Sequence, residues 1–259
     1  MKLLATSKAC ISVISVVLAC GRLGCAQQDP LHTSGSISVV GSTVPADGDV
    51  NPYGLVRVER RSGSLVKGNL LVSNFNDSDN LQGTGTTIVQ ISPEGVVTLF
   101  AQIDGNNLPG PCPGGIGLTT ALAVLRSGWV IVGSLPTTDG TSATAKAGCL
   151  LALNSSGKVV ETFFGSLING PWDMTALDAG GSADLFVTNV LNGTVAADGN
   201  VVHGGTVTRL NLTGLHGSMP NLESITVVGS GFAERTDPGA SARSRRSAVL
   251  RARPQEDQY

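Results

Sequence analysis

From about residue 45 onward the chain is written in short apolar runs of four to six residues, separated by clusters of Gly, Pro, Asn, Asp and Ser. Runs of that length, rich in Val, Leu, Ile and Thr and bounded by turn residues, read as β-strands. A helical period is not sustained anywhere beyond the N-terminus. The runs also recur as a unit. The first unit places strands at Tyr53–Val58, Asn69–Ser73, Thr87–Ile91 and Val96–Phe100, the second at Thr120–Leu125, Trp129–Gly133, Leu150–Leu153 and Val159–Phe163, and the third at Met174–Leu177, Asp184–Thr188, Val207–Leu212 and Ile225–Val228. The second strands LLVSN, VIVGS and LFVTN superimpose, with Val72, Val132 and Val187 lying 60 and 55 residues apart; the third-strand residues Ile91, Leu153 and Leu210 are 62 and 57 apart. Four strands per unit is the blade of a β-propeller. The expected fold is therefore all-β: a partial, open propeller of about three four-stranded blades.

The repeat is longer than the roughly 40–50 residues usual for a blade. Its excess lies between the second and third strands, at Asn74–Gly85, Ser134–Gly148 and Asn189–Gly205. In an up-and-down blade this loop and the blade-to-blade connection emerge on one face, so the insertions thicken that face selectively. A ligand or protein partner is expected there, since function tends to reside on loops held by a rigid scaffold.

Composition narrows the partners. A net charge of −2 with 14% charged residues argues against nucleic acid, whose binding needs a basic surface to displace counterions. Thirty-four glycines suit many tight turns, and 4% aromatics leave too few rings for an exposed glycan platform, so Trp129 and Trp172 are expected in the core or between blades.

Residues 1–26 read as a signal peptide: Lys2 and Lys8 precede an apolar run, Ala9–Cys20, shorter than the roughly 20 residues that span a bilayer, and Gly24-Cys25-Ala26 sets cleavage after Ala26. Val17-Leu18-Ala19-Cys20 offers the alternative of a lipoprotein signal ending at residue 19, with a lipid on Cys20 as the sole membrane attachment. The expected location is secreted or periplasmic, or membrane-anchored in the second case. A flexible lead-in covers 27–44, blades 45–235, and a disordered Arg-rich tail 236–259, which also reads as an out-of-frame translation of a GC-rich gene. Cleavage leaves two cysteines, Cys112 and Cys149, expected as a disulfide in an oxidising compartment, with two separate buried thiols as the alternative.

Asn51-Pro52-Tyr53-Gly54-Leu55 followed by Gly68–Asn74, and Gly170-Pro171-Trp172-Asp173-Met174 followed by Leu185–Asn189, resemble NHL repeats, and over about 45–235 the chain resembles exported bacterial NHL-like proteins. The resemblance implies a propeller, commonly six-bladed, of which three blades appear; a truncated array with an uncovered apolar face is expected. NHL repeats usually carry an Asp after the second strand, where this chain has Asn74, Ser134 and Asn189.

No nucleophile elbow, HExxH, Walker A or paired CxxC motif is present, and His32, His203 and His216 fall in polar, Gly-rich surroundings read as loops. The oxygen-rich stretch Asn74–Asn80 fails as an EF-hand loop, with Asp79 at the glycine position and Gly85 at the bidentate glutamate position, and reads as Asx turns. Gluconolactonase-like propellers bind a central metal through Asn, Asp and Glu side chains of several blades; Asn74, Asp173 and Asn189 match part of such a set, with calcium as the implied cofactor. Turn-capping at strand ends, with no cofactor, is the competing role. Three functions follow: an exported non-catalytic scaffold for ligand or protein binding, a metal-dependent hydrolase or lyase of the gluconolactonase-like class, and a passive envelope structural protein.

Overall fold

Strands VIVGS and CLLAL at 130–134 and 149–153 are buried at every position. Successive side chains of a strand point to opposite faces, so a sheet built on these two strands needs an apolar neighbour on each side. The computed structural model, which describes residues 38–217, 219–236 and 251–252, supplies both neighbours. Val130, Val132, Leu151 and Leu153 join Leu71, Ile88 and Leu118 in one core; Ile131, Leu150 and Ala152 join Leu185, Val187, Leu210 and Leu212 in another. Residues 1–39 and 40–259 form separate units, and all three sheets belong to the second.

The first sheet holds β1 (Val50–Arg57), β2 (Leu70–Asn76), β3 (Thr87–Ile91) and β4 (Val97–Gln102); the second holds β5 (Leu118–Val124), β6 (Val130–Ser134), β7 (Cys149–Leu153) and β8 (Val159–Phe163). The third holds β9 (Pro171–Asp178), β10 (Ala183–Asn189), β11 (Val202–Thr213) and β12 (Asn221–Arg235), extended by the two-residue β13 (Arg251–Ala252). All pairings are antiparallel between sequence neighbours. Inner strands β1, β5 and β9 contact one another in turn. The fold is all-β, with three four-stranded blades in an array that does not close. The only helix among the described residues is a 3-10 turn, Ser142–Thr144, in the second insertion.

All twelve expected strands form. The largest extensions beyond the apolar pattern are at β11 and β12, which run for 12 and 15 residues, paired from Val202↔Glu234 to Thr213↔Asn221 across four register shifts. Polar and Gly-rich residues continue this ladder because backbone pairing, unlike core packing, does not require an apolar side chain. His203 consequently sits in β11 rather than in a loop.

The two ends of the array differ. On blade 1, Val72, Val89 and Ile91 face away from blade 2 and are nevertheless buried. The expected lead-in runs over this face: a Cβ on Gly41 would lie 3.5 Å from Ile91 and 3.4 Å from Val97. A Cβ at Gly95, in the β3–β4 turn, would lie 2.1 Å from the Val40 carbonyl oxygen; at the equivalent Gly157 of blade 2 it would lie 2.0 Å from the Phe100 oxygen of blade 1. Val40 thus stands to blade 1 as the outer strand of blade 1 stands to blade 2. Asp49 fixes the segment, its buried carboxylate accepting from the main-chain N–H groups of Thr86 (2.7 Å) and Thr87 (3.0 Å) and from the Thr87 hydroxyl. On blade 3 the register puts Leu177, Asp184 and Asn211 in one row and Thr175, Phe186 and Arg209 in the next, on the face away from blade 2. Blade 1 is thus covered by its own chain, while at the other end, where an uncovered apolar face is expected, the outer face of blade 3 mixes charged, hydroxyl and apolar residues.

Candidate functional site

Each inner strand carries a register shift near its start: at Pro52/Gly54, between Leu118 and Leu122, and opposite Val187/Asn189. Bulges re-aim side chains, and here Tyr53 and Trp172 are turned together although they belong to blades 1 and 3. Tyr53 stacks on Phe75 at 4.6 Å between centroids, and Trp172 meets both rings edge-on at 5.6 Å. Leu135 and Val190 complete the cluster. Phe75, Leu135 and Val190 occupy the same repeat position, directly after Asn74, Ser134 and Asn189. The three blades thus meet in one aromatic-apolar plug at the loop-rich end. Trp129 also joins blades, donating through Nε1 to the Leu215 carbonyl at 2.9 Å.

The polar residues directly before the plug positions are buried clamps. Asn74 Nδ2 donates to Thr43 O at 2.8 Å and to Thr87 Oγ1 at 3.1 Å. Ser134 Oγ accepts from Gly117 N and donates to Gly115 O, each at 3.0 Å. Asn189 Nδ2 donates to Leu167 O at 3.3 Å and to Thr208 Oγ1 at 3.2 Å. In every blade this residue, Asn74, Ser134 or Asn189, grips the segment leading into that blade's first strand. The Oδ1 atoms of Asn74 and Asn189 remain buried without a partner. Asp173 differs: it is exposed, and its Oδ1 accepts from the Met174 N–H at 2.8 Å. Among the described residues no three His, Cys, Asp or Glu side chains come together as a metal group. If clamping is the role, Asn74→Ala should lose about 1–2 kcal/mol of stability through the vacated acceptors, and Asp173→Ala should stay within about 0.5 kcal/mol of wild type. Urea denaturation of the two variants checks this; equal losses would contradict it.

The loop-rich face is cross-bonded. Thr137, in the second insertion, donates its N–H to Gly83 O of the first at 2.9 Å and its hydroxyl to Gln82 O. The connection into blade 2 runs between them, with Leu118 N donating to Gly85 O at 3.0 Å and Leu135 N to Gly117 O at 2.8 Å. Cys112 in that connection is disulfide-bonded to Cys149 at the start of β7, with 5.1 Å between Cα atoms. Across the third insertion, Asn169 Nδ2 reaches Leu191 O at 3.1 Å and Asn192 Oδ1 at 3.2 Å. Asp139, at the tip of the second insertion, takes hydrogen bonds from the Thr144 hydroxyl and from the N–H and hydroxyl of Thr141, which hold its carboxyl below the usual range. In the first insertion, Asp77 Oδ1 accepts from Asp79 N and Leu81 N, the Asx turn expected there.

Two open clefts lie at the opposite end, among the tight turns. One of about 520 Å³ is lined by Arg126, Leu177, Asp178, Asp184 and Asn211. Its acids are engaged: Asp178 accepts from the N–H groups of Gly180 and Arg126, and Asp184 from Asn211 Nδ2 at 2.8 Å. The other, about 350 Å³, is lined by Trp129, Asn154, Ser155 and His216. The sequence directed attention to the insertions and away from these turns. The expected signal peptide, Cys20 and most of the Arg-rich tail lie outside the described residues.

No protein-family model matches the chain, and no curated protein matches it. Among solved structures it is similar to a GH32 β-fructofuranosidase of Bombyx mori, solved as a mutant in complex with sucrose, with 14% identity and a TM-score of 0.39. The match covers 76% of this chain and 40% of the enzyme's.

Proposed function

We propose that the protein is an exported, non-catalytic binding scaffold that presents its loop-rich face to a ligand or protein partner, with blades of the NHL type. The observation carrying this reading is the cross-bonding of that face: the first two insertions are tied at Thr137 and a disulfide holds the connection beside them. Fixing loops before binding lowers the entropy lost on association, which suits a recognition surface. Export is supported by the disulfide, which oxidising compartments maintain; no helix among the described residues is long and apolar enough to cross a membrane. The metal-dependent hydrolase or lyase is the second reading, favoured by the buried, unpartnered Oδ1 atoms of Asn74 and Asn189.

The test is a glycan and peptide array probed with the exported protein and with a variant whose second insertion is shortened across 138–145, alongside a lactone-hydrolysis panel with added calcium. Saturable binding lost in the shortened, still folded variant is the expected result. Turnover that disappears in an Asn74→Ala or Asn189→Ala variant would replace the scaffold with the enzyme. Neither binding nor turnover would leave the passive structural role.

A further inference from the structure

The charged side chains of the array are sorted by end. On the loop-rich face Asp47, Asp79, Asp104, Asp139 and Asp198 are exposed, and among the described residues Lys146 is the one exposed Lys or Arg there. At the opposite end the turns of blades 1 and 2 carry Arg57, Arg60, Arg61, Lys67, Arg126 and Lys158, all exposed, against Glu59 and Glu94. Arg57 is taken up by Glu59 at 2.9 Å; the other five cations form no ion pair among the described residues. Blade 3 does not share this charge, since its turn end carries Asp178, Asp184 and Glu223.

The fold, rather than sequence proximity, gathers these cations. Gly63 and Ser64 turn the β1–β2 connection back on itself, with Ser62 and Leu65 exchanging main-chain hydrogen bonds at 3.1 and 2.8 Å. Leu65 is fully buried, and Gln90 holds the chain on both sides of it, accepting from Val66 N at 2.9 Å and donating to Ser64 O at 3.1 Å. The small hairpin so fixed rests on blade 2: Ser64 N donates to Ser155 O at 2.8 Å, and a Cβ on Gly128 would lie 2.4 Å from Ser62 Oγ. Arg60 and Arg61 therefore stand beside the turns that carry Arg126 and Lys158. Like charges gathered on a fixed frame repel one another, and an anionic partner replaces that repulsion with attraction.

Two exposed valines at the same end select among anionic partners. Val66, next to Lys67, is 41% exposed, and Val96, in the turn that follows Gln90, is 60% exposed. A soluble polyanion offers an apolar side chain nothing, whereas a bilayer surface offers headgroups to cations and the acyl boundary to apolar groups. We propose that the turn end of blades 1 and 2 docks on a membrane carrying anionic lipid headgroups. The acidic loop-rich face is repelled by the same surface, so the array stands with that face pointing away. The docking surface does not depend on the binding role proposed for the loop-rich face.

Flotation of the exported protein with vesicles tests this, using phosphatidylcholine alone and phosphatidylcholine with phosphatidylglycerol at about three to one. The wild type should float with the mixed vesicles, stay behind with phosphatidylcholine alone, and be released as salt approaches about 1 M. Each basic side chain at such a surface changes partition by roughly fivefold, so Arg60→Gln/Arg61→Gln should weaken it about 25-fold, and Lys67→Gln/Lys158→Gln by a similar factor. Val66→Ser/Val96→Ser should weaken it by less and keep the salt dependence. Arg245→Gln/Arg246→Gln, in the Arg-rich tail, should leave it unchanged. On the vesicles, amide exchange should slow at 59–68 and not at 134–148. Failure of the wild type to float with the mixed vesicles would overturn the proposal, as would partition that follows the tail variant and ignores the turn variants. Binding to heparin or DNA that the turn variants lose, with no uptake on vesicles, would assign the surface to a soluble polyanion instead.

Discussion

Reduction of the Cys112–Cys149 disulfide is expected to lower stability by about 3–4 kcal/mol, the chain-entropy value for a cross-link closing a loop of this size, less any strain relieved in the native state. The two cysteines are 37 residues apart, and that loop includes β5, β6 and all of the second insertion. Cutting the bond therefore frees the unfolded chain around blade 2, whose β6 and β7 provide packing to both neighbours. For a chain of this size the thermal midpoint should fall by roughly 10 °C. The measurement is thermal unfolding with and without reductant, set beside a Cys112→Ser/Cys149→Ser variant that reductant should not affect further. A midpoint unchanged by reductant, in protein whose thiols titrate as fully reduced, would show that the bond does not stabilise the fold. Most of the gained amide exchange should appear in residues 135–148, where the insertion has few apolar contacts of its own and relies on Thr137, Cys149 and the Asp139 turn for order.

The blades were legible because one pattern served three times. A fully buried strand flanked by turn residues can hardly be anything else when it recurs in register, and Val72, Val132 and Val187 do face the same way in all three sheets, toward the preceding neighbour. The disulfide was legible from parity and from the side on which propeller connections emerge. The covering segment 40–49 was not, because Val40 and Asp49 act through one carbonyl and one carboxylate placed against another blade, and neither leaves a periodic trace. The strand-end residues Asn74, Ser134 and Asn189 were found by repeat position, but their grip on the incoming segment depends on a tertiary approach. The plug was half visible: Pro52-Tyr53 and Pro171-Trp172 stand out as a pair, yet what unites them is a bulge, and a bulge is a matter of register that composition does not encode.

Trp172→Ala is expected to destabilise the protein by about 3–5 kcal/mol, the range for removing a large aromatic side chain from a core. Three features of the site set that size. Trp172 is 9% exposed, so most of its surface is removed from water on folding. It meets Tyr53 and Phe75 edge-on, an arrangement that contributes beyond the area buried. Its neighbours Leu135 and Val190 are held by β6 and β10, which pair on both sides and leave little freedom to collapse into the space vacated. The effect should also be coupled across blades. In a double-mutant cycle with Phe75→Ala, the two losses should fall short of additivity by about 0.5–1.5 kcal/mol, since each single change already breaks the ring contact they share. Trp172→Phe, which keeps a ring in the plug, should lose less than half as much. Chemical denaturation of the four proteins supplies the cycle. Strict additivity, or a Trp172→Ala loss below about 1 kcal/mol, would mean that blades 1 and 3 stand independently and that the plug does not join the array at its loop-rich end.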